Sequence, residues 1–450
     1  MSDLERLGER LDAIAPRTMR EHGIPGAAIF VVDGDDELIR CFGASDAESG
    51  APVDADTLFQ IGSVSKTLTA TLLRRLVDAG RLDLDAPVRA HLPELRLADP
   101  RASEGVTCRH LLAHVAGFEG DIFIDNGDGA DALARFVTAL DAAPQLAPFD
   151  WSYSYCNAGY SLLGRVVEVL RGDAFEDVAR SEVLEPLGMR RTRFAWEARA
   201  PNTASGHVLR DGVPRAVRPW RLSRSITPAG GVVSTARDLL AYARFHLGEQ
   251  GASVLPRESL EAMRLPLYDA AKSPKAFGWT IARTGGSLVV SHGGSTVSHI
   301  AELALVPGRR VAFGVLTNSD RGGALVRAVS RLVLVEHLGA AAPAPPPAFT
   351  PSIADAGEYA GRYRAAIYDV TVGTDADGVW LDAVRVGGMD AHQSPRPAPL
   401  PRMRLGFVAA DRAVIRNGPL EEQPAWFARD PAGRVRWVRF YGRLTPRVRE

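Results

Sequence analysis

Apolar positions near the start of the chain recur at helical spacing between charged ones, and MSDLERLGERLDAIAPRTMREHGIPG predicts an amphipathic helix. Two apolar runs, 27–32 and 38–42, then flank Asp33-Gly34-Asp35, a turn sequence, and predict a β-hairpin. FQIGSVSKTLTATLL, 59–73, reads as a strand that stops at Gly62 and turns straight into a helix, whose natural end is Gly80. Further helices are expected around 109–114 and 160–170. PAGGVVSTARDLLAYARFHLG places a glycine-rich loop before another, with Thr235 and Asp238 at capping-box spacing. From 278 to 318 the pattern changes to strands, and a last helix is expected over 324–338.

GAAAPAPPPAFTPS follows, rich in proline and alanine and therefore extended and stiff. Beyond it, short alternating segments such as YDVTVGTDADGVWLDAV and RVRWVRFYG predict a small all-β domain, a closed or nearly closed barrel. The expected organisation is an α+β domain over 1–339, a linker over 340–352 and the β domain over 353–450. Early and late strands of the first part are available to one antiparallel sheet. EYAGRY and FYGRL read as core and turn residues of the barrel, without chemistry of their own.

Composition narrows the function classes. A chain of 450 residues with 46% apolar and 24% charged positions is ordinary globular material. Its formal net charge of -1 gives no field that favours nucleic acid or an anionic membrane, so neither is expected as a partner. Cys41, Cys108 and Cys156 form neither a disulfide framework nor a zinc-ligand spacing. The charged N-terminus has no apolar leader core, and no stretch approaches the ~18 unbroken apolar residues of a spanning helix. Together with Met1 these features point to a cytoplasmic protein.

The chemistry-bearing segment is 59–73. Ser63 and Lys66 are three apart, so on a helix they share a face, and Ser63 sits where unpaired N–H groups favour negative charge. A serine is a weak nucleophile until a base takes its proton. A buried lysine is such a base when its pKa falls, or an anion-stabilising cation when it does not. Taken alone, S-x-x-K, which occurs often by chance, is better explained by a helix cap followed by a solvated lysine.

Other segments shift that balance. FQIGSVSKTLTATLL, VTCRHLLAHVAGF, YSYCNAGYSLLGRVVE, PAGGVVSTARDLLAYARF and SHGGSTVSH occur in order. They resemble the class C branch of the serine β-lactamases and penicillin-binding proteins, over about 24–318. The resemblance implies a β-lactamase-like fold, an antiparallel sheet flanked by helices plus a helical region. It also implies an acyl-enzyme mechanism. Ser63 would be the acylated nucleophile, with Lys66 and Tyr155 sharing the proton. Asn157 would hydrogen-bond Lys66 and a substrate carbonyl, and the backbone N–H groups of Ser63 and Ser295 would form the oxyanion hole. Tyr153 stands two residues away, so the choice of Tyr155 rests on the Y-x-N spacing.

The third family element, K-T-G, is replaced by His292-Gly293-Gly294. A mostly neutral histidine and a glycine lack the charge and hydroxyl suited to a substrate carboxylate, which implies weaker selection for carboxylates and tolerance of neutral esters or amides. Such variants resemble the esterase and D-aminopeptidase relatives, and the β domain resembles the lipocalin-like domains appended to some of them. That domain would narrow the cleft or support self-association, which leaves a homo-oligomer open.

The chain has no G-x-S-x-G elbow and no dinucleotide fingerprint. Gly230-Gly231 is expected to let the backbone pass the site wall. His110 and His114 stand at i,i+4 spacing but lack a third ligand, and are read as structural. No metal or cofactor is expected. The expected activity is a serine hydrolase acting through Ser63 on a small ester, amide or short peptide, an esterase or a D-amino-acid amidase/peptidase. The alternatives are a β-lactamase with weak carboxylate recognition and a catalytically idle binding scaffold.

Overall fold

The computed structural model describes residues 2–197, 199–218, 220–269, 273–341, 356–388, 399–418 and 420–448. Most of the proline-rich linker, 342–352, lies outside them.

The first helix, α1 (Asp3–His22), begins with a full capping box between Ser2 and Glu5 and ends at Gly23, whose φ is 65°. The hairpin forms as β1 (Gly26–Asp33) and β2 (Asp36–Gly43). Four later strands complete an antiparallel sheet: β3 (Thr280–Thr284), β4 (Ser287–Ser295), β5 (Ile300–Val306) and β6 (Val311–Thr317). Its order is β2-β1-β6-β5-β4-β3, so the chain's early hairpin meets its late strands through β1 and β6.

Strand β1 is apolar on both faces because both are covered. Ala27, Ile29 and Val31 pack with Leu7 and Leu11 of α1, while Ala28, Phe30 and Val32 join the larger core.

That larger core surrounds α2 (Ser65–Asp78), in which ten residues are buried although half of them are polar. The hydroxyls are satisfied within the fold. Thr67 donates to Val64 O (2.8 Å), Thr71 to Thr67 O (2.9 Å) and Thr69 to Pro228 O (2.7 Å). The helix ends beside Gly80, at φ 65°.

Helix α3 (Asn157–Arg171) starts three residues before the expected 160, because Cys156 caps it by accepting from Gly159 N. In α4 (Ala236–Leu247) Thr235 accepts from Asp238 N, but the Asp238 carboxylate turns to Thr192 and Arg191 N, so only half of the expected box forms. The last expected helix is α5 (Gly323–Arg331), continued by a wider π-type turn over Leu332–His337.

The C-terminal residues form an eight-stranded antiparallel meander. Its strands are β7 (Gly361–Arg364), β8 (Tyr368–Asp375), β9 (Gly378–Arg385), β10 (Met403–Ala409), β11 (Arg412–Ile415), β12 (Pro424–Arg429), β13 (Val435–Phe440) and β14 (Arg443–Pro446). The first and last strands meet where Val448 N donates to Arg362 O (2.8 Å), so the barrel nearly closes around its own apolar core.

Two glycines bring β4 against the turn that leads into α2. Gly62 has φ 50°, and a Cβ there would stand 2.6 Å from Ser295 N. A Cβ on Gly294 would fall inside the van der Waals shell of Ile61 O. Gly294→Ala is therefore expected to push β4 off this turn and cost about 1–3 kcal/mol. A lowered urea midpoint at unchanged slope would show this; an unchanged midpoint would mean that the contact is looser than described.

Candidate active site

Strand Phe59–Gln60 pairs with Val232–Ser234 and delivers the chain into a single 3₁₀ turn, Gly62–Val64, that runs on into α2. Within this stretch Ser63 is the half-buried residue between buried neighbours, and it lines a cleft of about 620 Å³. Lys66, one turn later, is fully buried. Its Nζ lies 3.1 Å from Ser63 Oγ, 2.7 Å from Asn157 Oδ1 and 2.5 Å from Ala229 O. Burial, followed by the positive charges of Arg443 and Lys275, holds its pKa well below the ordinary lysine value, against the opposing pull of Asp121.

Tyr155 lines the same cleft as Ser63, whose hydroxyl favours its ionised form, and its ring stands among three basic side chains. Lys66 Nζ is 4.9 Å from the ring centre, the Arg443 guanidinium 4.8 Å and Lys275 Nζ 5.7 Å. Burial nevertheless raises its phenol above the ordinary value, so the resting group is neutral. Tyr153 points elsewhere, packing edge-on against His114 and under the Arg439 guanidinium. Of the two tyrosines, the structure brings Tyr155 to the serine.

Asn157, the first residue of α3, is also in place, but its amide is divided. Oδ1 accepts from Lys66, and Nδ2 donates to Asp121 Oδ1 at 2.6 Å. One of the two N–H groups expected to face a substrate carbonyl is thus committed to Asp121. Gly294 and Ser295 run beside the Ser63 turn on β4, which brings the two expected oxyanion donors to the same edge of the cleft.

His292 lines the cleft as a neutral group. Its Nδ1 bonds Gly293 O (2.7 Å), its Nε2 is buried without a partner among the described residues, and burial with Lys275 and Lys66 pushes its pKa well below the ordinary value.

The sequence analysis passed over four charged residues that the fold adds. Lys275 enters from the segment before β3, buried, with Nζ 2.6 Å from Thr280 Oγ1; burial lowers its pKa to about 8. Glu302 on β5 faces Gly293 across the strand pair, where a Cβ would stand 2.8 Å from its carboxylate, and burial raises its pKa to about 7. A cation and an acid group therefore occupy the part of the cleft where the third element carries none.

The other two are Asp121, on the loop after residue 118, and Arg443, the first residue of β14. Arg443 grips Asp121 through Nε–Oδ2 (2.8 Å) and Nη2–Oδ1 (3.2 Å). The reading of FYGRL as a plain barrel turn is corrected here, since Tyr441 and Arg443 line the same cleft as Ser63.

His110 and His114 do not share a helix face. The expected helix stops at Leu112, and His114 takes φ 57°. His110 closes a capping box with Thr107 and pairs with Asp150, whereas His114 accepts from Cys156 N (3.0 Å) and stacks on Tyr155. Among the described residues no cluster of three metal-ligating side chains occurs, and no helix is long and apolar enough to cross a membrane.

Known proteins share this arrangement of the chain. The β-lactamase family profile matches residues 11–337. Penicillin-binding protein 4 of Amycolatopsis lactamdurans is 37% identical over 372 residues, 79% of this chain and 96% of that protein. Esterase EstB of Burkholderia gladioli is 36% identical over 236 residues, 48% of this chain and 58% of the esterase. A solved structure of SurE with D-Leu superposes with a TM-score of 0.77 at 29% identity, covering 99% of this chain and 100% of that one. The chain belongs to the β-lactamase family and is a serine hydrolase.

Proposed function

We propose that the protein cleaves amides or esters of D-amino acids through an acyl-enzyme on Ser63, with Lys66 as the base that activates it. The observation that carries this reading is the complete burial of the Lys66 amine within hydrogen-bond distance of Ser63 Oγ. Two of its neighbours, Ala229 O and Asn157 Oδ1, can only accept. The three oxygens suit the three N–H groups of an ammonium as donors, and equally a neutral amine, whose two N–H groups serve the first two while its lone pair faces the Ser63 hydroxyl at 3.1 Å. Burial of Lys66 favours the neutral state.

In this mechanism Ser63 gives its proton to Lys66 as Oγ attacks the carbonyl carbon. The N–H groups of Ser63 and Ser295 receive the developing oxyanion. Tyr155, neutral and lining the cleft with Ser63, passes its proton to the departing nitrogen or oxygen and is reloaded from Lys66. Water then attacks the acyl-enzyme by the reverse route.

Beside Asn157 the cleft opens into a second cavity of about 460 Å³, walled by Ile122, Phe123, Phe136, Leu222 and Ile226, which suits an apolar side chain. SurE, solved with D-Leu, supports a D-amino acid as the group held there. The esterase relative supports esters as well as amides.

Intact mass after fluorophosphonate treatment tests the nucleophile. A single adduct on the wild type and none on Ser63→Ala is expected; an adduct on the alanine variant would place the nucleophile elsewhere. D-leucine p-nitroanilide is expected to be cleaved in preference to its L enantiomer, and equal rates would remove the stereochemical part of the proposal.

Tyr155→Phe is expected to slow the anilide by about 10²–10⁴. A p-nitrophenyl ester should suffer less, because its leaving group departs without a proton. An undiminished anilide rate would take Tyr155 out of the mechanism. A second reading, acylation by β-lactams, is favoured by the penicillin-binding relative; a stable penicilloyl adduct on Ser63 would support it, and complete absence of reaction would count against it.

A further inference from the structure

The Lys66 amine keeps its lone pair on Ser63 only while both its N–H groups have acceptors, and one of these is a side-chain amide that could face either way. Asp121 decides the orientation. A carboxylate accepts and cannot donate, so it takes the Asn157 Nδ2 group at 2.6 Å and turns Oδ1 toward Lys66. Reversed, the amide would offer Lys66 a donor where an acceptor is needed.

The Asp121 side chain is only 2% exposed, and Arg443 holds both of its oxygens. Arg443 follows the Tyr441-Gly442 turn of the β domain. This turn is itself pinned to the segment that carries Tyr155: Tyr155 N donates to Gly442 O (2.9 Å) and Leu444 N to Ser154 Oγ (3.1 Å). An unbroken series of hydrogen bonds thus runs from the C-terminal domain through Asp121, Asn157 and Lys66 to Ser63.

We propose that Arg443, supplied by the β domain, is a positioning residue for acylation: through Asp121 and Asn157 it keeps the Lys66 amine neutral and facing Ser63. This rests on the reading of Lys66 as the base.

The groups around Lys66 set the sign of the effect. Lys275, from the segment before β3, and Arg443, from β14, disfavour an ammonium there, whereas Asp121 favours one. His292 of β4 and His114 are held neutral by burial first and then by Lys275. Tyr155, Cys156 and Tyr160 are neutral because burial raises each of them. Without Arg443 the Asp121 charge is left uncompensated, and Lys66 takes up a proton more readily. The base form exists above the lysine's pKa, so raising that pKa moves the onset of activity to higher pH.

The test is the rate of fluorophosphonate addition to Ser63 in the full chain, followed by intact mass from about pH 5 to about pH 10. In Arg443→Met the acid limb should move up by about one unit or more, with a loss of about tenfold at neutral pH that is recovered at high pH. Adding Asp121→Asn should bring the limb back, because the introduced amide oxygen still accepts from Asn157 without a charge. Arg443→Lys, which keeps the charge but not the two-pronged bond, should leave the limb near its wild-type position; if the methionine variant loosens the fold, Arg443→Gln, which can still donate to Asp121 but carries no charge, takes its place and should move the limb in the same direction. A loss by one factor at every pH, an unmoved profile, or a shift that Asp121→Asn fails to reverse would overturn the proposal. A wild type without an adduct on Ser63 would instead overturn the reading of nucleophile and base.

Discussion

The burial of one amine constrains most of this architecture. Lys66 lies at zero exposure in a helix whose first three turns are almost wholly enclosed, and a lone ammonium in such surroundings would cost several kcal/mol. The fold meets that cost with acceptors for its N–H groups and with the nearby positive charges of Arg443 and Lys275, which together with burial favour the neutral amine. Ala229 O arrives from the short helix Thr227–Gly230 and Asn157 from the start of α3, while Asp121 holds that asparagine from a loop that has no regular structure of its own. Three segments distant in sequence therefore have to close on one nitrogen. The close approach of β4 to the Ser63 turn through Gly62 and Gly294 is the matching requirement from the sheet side.

The third element shows how a change of residue type alters a site without emptying it. His292 replaces a charge with a buried neutral ring, and Gly293 removes a side chain beside Glu302. The space is used by neighbours: the Glu302 carboxylate lies over the glycine, and Lys275 reaches in from the segment before β3. The two make no ion pair within 4.0 Å among the described residues, yet each moderates the other's shift. Reading the element alone suggests a cleft poorer in charge than the one that the tertiary structure builds.

That Ser63, Lys66, Tyr155, Asn157 and the glycine-rich strand edge belong together was legible because each sits in a local pattern with fixed spacing on one helix, cap or strand. Asp121, Lys275, Glu302 and Arg443 were not, and for a common reason. Each lies in a loop or on a strand where nothing in its sequence neighbours distinguishes it from a solvated charge, and its role comes from partners up to 322 residues away. The hairpin, the major helices and the all-β C-terminal part followed from periodicity and turn residues. The half-formed cap at Thr235 did not, because Thr192 offered Asp238 better donors than its own helix. The FYGRL turn was read as barrel structure because hairpin turns usually end in solvent; here the solvent side is another part of the same chain.

That seam explains why the β domain is more than an appendage. Residues 146–155 have no helix or strand of their own, and their polar groups would be orphaned if they were simply covered. The β13–β14 hairpin supplies the partners one after another. Trp437 Nε1 donates to Leu146 O (2.7 Å), Arg439 Nη2 to Ser152 Oγ (2.6 Å) and Leu444 N to Ser154 Oγ (3.1 Å), while Gly442 O receives Tyr155 N (2.9 Å). Trp151 packs on Trp437 at 4.8 Å between ring centres. The segment that presents Tyr155 to Ser63 therefore takes its backbone path from the docked barrel, and only then does Asp121 meet its arginine. Two domains share one cleft because the irregular stretch between the helical elements is ordered from both sides: Leu146, Ala147, Asp150 and Ser154 N donate to carbonyls of residues 114–117, and the barrel's hairpin satisfies the groups that these leave over.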